Sequence, residues 1–125
     1  MWTPKEVIER ISSRTLLPDS MFKSIDPDEV LDARDDSFED DWLRAAEALQ
    51  AAWERSPDAE SEAATIDAVR EVAFRHTFDA SGGHHDLAAT VSDDLEVICK
   101  RAFLGAESPF ITSLEEAYDA HQIPQ

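Results

Sequence analysis

One cysteine, three glycines and only eleven bases are what this sequence has least of. The single Cys99 excludes an intramolecular disulfide and any four-cysteine zinc site. Three glycines are too few for a turn-rich β fold, and no run of four or more residues alternates in the manner of a strand. No stretch approaches the roughly 18 apolar residues of a membrane span. Eleven Lys and Arg against 28 Asp and Glu leave a net charge of −17. That balance argues against unaided binding to DNA, RNA or anionic lipid, because each phosphate contact needs a base. Met1-Trp2-Thr3-Pro4-Lys5-Glu6 lacks the charged-then-apolar build of a signal peptide. With the lone cysteine, this predicts a cytoplasmic protein.

What remains is a helical vocabulary in a chain of 125 residues, the length of a single domain over 1–125 with one core. Thr3-Pro4-Lys5-Glu6 supplies a cap, a first-turn proline and an acid, and predicts a helix over about 4–14. Leu16-Leu17-Pro18-Asp19 stops it. Asp26-Pro27-Asp28-Glu29 repeats the pattern and opens a short helix carrying Val30 and Leu31. Ser37 caps a helix to about Arg55, in which Phe38, Trp42, Ala45, Ala46, Leu49, Ala52 and Trp53 follow three- and four-residue spacing. A further helix spans about 60–79, and Gly82-Gly83 ends it.

After a helical turn or two over His84–Thr90, Ser92-Asp93-Asp94 reads as a helix start, with its acids at the favourable end of the dipole. That helix runs to Gly105. Ser113-Leu114-Glu115-Glu116 reads as a capping box for a last helix to about His121. The expectation is an all-α, compact single domain of five or six helices. Its core comes from Phe38, Trp42, Leu49, Trp53, Ile66, Val69, Phe74, Phe78, Leu95, Ile98 and Phe103. Trp2 is the aromatic most open to exposure, unless it caps the apolar face of the first helix.

The charge is unevenly placed. Residues 1–25 carry a net +1, residues 26–62 a net −11 and residues 63–125 a net −7. Nine carboxylates fall between Asp26 and Asp41, interrupted only by Arg34. Such a run repels itself unless counter-ions or a partner relieve it. It reads as a solvated face, as adaptation to a salty cytoplasm, or as a docking face for a basic partner formed by Asp32, Asp35, Asp36, Glu39, Asp40, Asp41 and Trp42. Three Lys against eight Arg fit the salt reading but follow equally from GC-rich coding. Calcium is a poor fit, because the sixth position of an EF-hand loop started at Asp26 is Leu31, where glycine is required.

Chemistry has few candidates. His76, His84, His85 and Asp86 are legitimate ligands for a metal ion, with Asp79 or Asp93 as a supporting acid. Neither an H-E-x-x-H nor a Glu-x-x-His pair occurs, so the spacing that aims two ligands at one ion is missing. Cys99 lies on the stripe of Leu95, Ala102 and Phe103 and reads as a small buried apolar residue. No G-x-S-x-G and no glycine-rich phosphate loop is present. No cofactor is implied. Trp42 and Trp53, three helical turns apart, share one face as core residues. Either would serve as an interface anchor if it were exposed beside Asp40, Asp41 and Glu54.

In its size, its charge of −17 and the carboxylate run Asp26–Asp41 flanked by Phe38 and Trp42, the chain resembles bacterial toxin-immunity proteins. The resemblance implies a non-catalytic protein whose acidic face docks a basic partner, a toxin. Two other readings compete with it. One is a small metal-dependent enzyme built on His76, His84, His85 and Asp86. The other is a homo-oligomeric structural or regulatory protein.

Overall fold

Thr3 opens α1 (Pro4–Ser12): its hydroxyl accepts from the Glu6 N–H at 3.2 Å, and Pro4 fills the first position, where no N–H is needed. The computed structural model describes residues Met1–Gln125, with seven helices and no strand. After α1 come α2 (Asp19–Lys23), α3 (Pro27–Asp32), α4 (Asp36–Arg55), α5 (Ala59–Ala80), α6 (His85–Leu104) and α7 (Pro109–Asp119). The all-helical class is as expected from the sequence; the count is seven rather than five or six.

α2 is the element the sequence reading lacks. It has no side-chain cap. Its five residues are held by packing instead, because Met21 and Phe22 are buried, each contributing about 1.5–3 kcal/mol. The Leu16-Leu17 pair, expected only to stop α1, is fully buried and ties the α1–α2 connection into the core. That connection turns through left-handed backbone at Arg14 and Leu17.

Three helix starts lie elsewhere than the capping pattern placed them. Asp35, not Ser37, caps α4, its carboxylate accepting from the Phe38 N–H at 2.9 Å. Ser108, not Ser113, caps α7, one residue before Pro109. The turn over His84–Thr90 and the helix expected from Ser92 are one continuous α6. His84 caps it, its Nδ1 accepting from the Leu87 N–H at 3.1 Å. Ser92 and Asp94 therefore sit inside a helix and are buried.

α6 is the axis of the fold. It packs most extensively against α5 and also meets α4, α7 and α3, while α1 lies on α5. Half of its residues are buried, among them Leu87, Val91, Leu95, Ile98 and Cys99. Leu49, Trp53, Ile66, Val69, Leu95 and Ile98 are core residues as expected, and Phe38, Trp42 and Phe103 pack half-buried against them. Phe74 is half-buried, and Phe78 is 38% exposed, stacked on Phe74 at the end of α5. Trp2 is buried at 9% exposure, with the Arg10 guanidinium 4.8 Å above its ring. A large indole gains more from joining the core than from solvent, and the cation covers its outer face.

Candidate functional site

The acidic run forms α3, the elbow before α4, and the first turns of α4. Two of its carboxylates serve the backbone. Asp26 accepts from the Asp28 and Glu29 N–H groups, and Asp35 caps α4. Asp28 accepts from His84 Nε2 at 2.9 Å. Between Asp32 and Asp41 the ion pairs are Arg34 Nε with Glu39 at 3.5 Å and Arg44 with Asp41 at 3.3 Å. Asp32, Asp35, Asp36, Glu39, Asp40 and Asp41 are all exposed. Asp32, Asp36 and Asp40 are exposed and make no ion pair.

Arg34, the one base inside the run, points inward. Its Nη1 and Nη2 donate to the two oxygens of Asp94, each at 2.9 Å, and Nη1 also donates to the Pro124 carbonyl at 3.3 Å. Trp42 Nε1 donates to Asp94 at 2.9 Å and the Tyr118 hydroxyl donates to it at 2.6 Å. Asp94 is wholly buried. Four donors around one carboxylate are what a buried charge requires. Burial alone would lower the Arg34 pKa, but the hydrogen bonds and charge of Asp94 outweigh it, so the pKa is raised and the guanidinium is held charged.

Asp94 is the site residue the sequence reading missed: it joins the α3–α4 elbow, α4, α7 and the C-terminal tail to α6. Its one sequence signal, a carboxylate in register with the apolar stripe of Leu87, Val91, Leu95 and Ile98, is masked by the neighbouring Ser92 and Asp93. Trp42 is correspondingly half-buried and bonded, not an exposed anchor. The side chain that does face out beside the acids is its neighbour Leu43, 51% exposed.

Tyr118 is the chain's only tyrosine. Complete burial raises its pKa well above the ordinary value, and the charge and hydrogen bond of Asp94 add to the rise, against an opposing effect of Arg34. A raised acid pKa means the folded state keeps its proton longer than the unfolded chain. The stabilisation is therefore full below the unfolded value of about 10, and above it stability falls by about 1.4 kcal/mol per pH unit. We expect the folded protein to show no phenolate absorbance at a pH where the guanidinium-unfolded chain has already ionised. Coincident titration curves would contradict a protonated, buried Tyr118.

The structure does not bring the histidines and Asp86 together. His76 takes a hydrogen bond from Arg14 on Nδ1 and gives one to the Leu17 carbonyl from Nε2, each at 2.6 Å. His84 is held between Leu87 and Asp28. Exposed His85 lies beside Asp86 at 3.6 Å and edge-on to Phe74. Asp93 pairs with Arg70 at 2.9 Å, and Asp79 is exposed at the rim of a groove with Arg14 and His76. No group of three or more His, Cys, Asp or Glu side chains is placed to hold a metal ion. Cys99 is buried, and burial, with the charge of Glu115, pushes its pKa up to about 12, so its thiol is a packing group and not a nucleophile. No helix is long and apolar enough to cross a membrane.

Among curated proteins, none matches the chain. A family model described as "Immunity protein PIM1" matches residues 6–125, from the first turn of α1 to the last residue. The match takes in the whole acidic run, the Asp94 network and all of α2 to α7. This chain belongs to the PIM1 family of immunity proteins.

Proposed function

We propose that this immunity protein neutralises its toxin without catalysis, by docking the acidic face of α3 and α4 onto a basic surface of the toxin. The observation that supports this best is the set of exposed, unpaired carboxylates Asp32, Asp36 and Asp40, on helices whose inner sides are committed to the core. Asp35, Glu39 and Asp41 extend the negative face, and Trp42 braces it from beneath through Asp94. Such a surface speeds association with a basic partner and sets partner choice. It presents carboxylates where a nucleic acid or other anionic substrate would place its own charge.

The test is a triple reversal, Asp32→Lys, Asp36→Lys and Asp40→Lys, made on the full chain. Asp35 is left in place because it caps α4. The toxin is first identified by native mass spectrometry as the protein held one-to-one by the tagged chain, then purified. Its affinity for the variant is expected to fall by about a hundredfold, chiefly through slower association, and the salt dependence of binding should flatten. Helical content should stay unchanged. Wild-type affinity at physiological salt would overturn the acidic-face reading.

A further inference from the structure

The inner stripe of α4 is fully engaged. Leu49 and Trp53 are buried, and Phe38, Trp42, Ala45 and Ala46 pack against the same core. Two contacts fix the helix's rotation about its own axis. Trp42 Nε1 donates to Asp94, and the Phe38 ring lies against Phe110 with centroids 5.3 Å apart. Leu43, one residue on from Trp42, is thereby held about 100° around the helix. Nothing in the core requires a leucine there.

Isolated exposed leucines are common. Leu43 is set apart by its neighbours and by its locked orientation. Asp36, Glu39, Asp40 and Glu47 stand seven, four and three residues before it and four after, so they surround it on one helix face, and all are exposed. Of these only Glu39 makes an ion pair, with the inward-turned Arg34, while exposed Arg44 beside Leu43 pairs with Asp41. A second copy of this chain would bring like charges together across such a face, which opposes self-association. A surface that covers it must supply cations at the rim and something apolar at the centre.

We propose that Leu43 is the apolar anchor of the toxin interface, seated in an apolar pocket of the toxin whose rim carries lysine or arginine. This rests on the docking of the acidic face and adds its centre. Interfaces concentrate their affinity in a few central side chains, sheltered from water by a polar ring. Here the ring is carboxylate, and desolvating it against anything but bases would leave buried charges unpaired.

Leu43→Ala and Leu43→Asp are compared with the Asp36→Lys, Asp40→Lys double variant for binding to the purified toxin at physiological salt. Leu43→Ala is expected to weaken binding by about tenfold or more, through faster dissociation, with the salt dependence unchanged. Leu43→Asp should weaken it further. Because the side chain is outside the core, the melting temperatures of both Leu43 variants should match the wild type. Wild-type affinity for both Leu43 variants, with weakened binding by the lysine variant, would overturn the anchor and leave the acidic face standing. Wild-type affinity for all three would overturn both. Loss with the Leu43 variants alone would overturn the basic rim.

Discussion

Asp94→Ala is expected to remove about 4 kcal/mol of folding stability, a large part of what a domain of this size has. The substitution deletes the only carboxylate touching the buried Arg34 guanidinium nitrogens Nη1 and Nη2, and it orphans Trp42 Nε1 and the Tyr118 hydroxyl together. A buried cation left with only its longer contact to exposed Glu39 accounts for most of that loss, since breaking a buried pair costs about 3–5 kcal/mol. The midpoint of thermal unfolding should drop by on the order of 15 °C. Replacing both partners, Asp94→Leu with Arg34→Met, should recover much of the loss, because no charge is then left buried. Chemical unfolding followed by circular dichroism reads all three proteins. A loss below about 1 kcal/mol for Asp94→Ala would mean that the guanidinium reaches water and that the network is not a buried one.

The same network shapes the outer surface. Arg34 is the single base in the run from Asp26 to Asp41. By drawing it inward, Asp94 removes the one positive charge that would interrupt the acidic face. Asp94 takes both terminal nitrogens of Arg34 and leaves only its Nε near Glu39, so Asp32, Asp36 and Asp40 outside make no ion pair. The α3–α4 elbow, α4 and the C-terminal tail are fixed by the same contacts, Arg34 with Asp94 and Pro124 and Trp42 with Asp94. The negative charges are therefore presented on a fixed surface, and a partner need not order it on binding.

How much of this was legible depended on whether a residue's role was local. The helical class, the apolar stripes of α4, α5 and α6 and the Thr3 and Asp26 caps are periodic or short-range, and they were read directly. The acidic run was visible as composition. The three misplaced helix starts have a common cause. Ser37, Ser92 and Ser113 each stand before acids in a cap-like pattern, yet a cap is only one use of a carboxylate. Asp94 meets its partners at sequence separations of 60, 52 and 24 residues. No local pattern carries that information. α2 was missed for a similar reason: Met21 and Phe22 have no helical repeat around them, and the core, not propensity, makes the turn. Leu43 was hidden behind Trp42, because spacing groups residues into stripes but leaves the exact rotation of a helix to its contacts.

Glu115, one helical turn from Tyr118 on α7, tests the same point. It was read as part of a capping box, yet it lies in the second half of α7, buried, with Arg101 Nη2 donating to it at 2.5 Å. Arg101 is buried as well; its Nη1 donates to Thr112 and its Nε has no partner. The guanidinium is thus already short of one acceptor, and Glu115 is its sole counter-charge. Glu115→Ala should cost about 3 kcal/mol, by the argument that applies to Asp94 but with fewer donors orphaned. Glu115→Gln keeps an acceptor and the shape while removing the charge, so it should fall between the wild type and Glu115→Ala. If Glu115 were only a helix-start acid, Glu115→Ala would cost no more than about 1 kcal/mol and Glu115→Gln nearly nothing. The two variants therefore separate a buried ion pair from a cap by the size and order of their effects in urea unfolding. Because neither side chain of the pair is among the exposed carboxylates Asp32–Asp41, toxin affinity measured well below the melting temperature should remain that of the wild type.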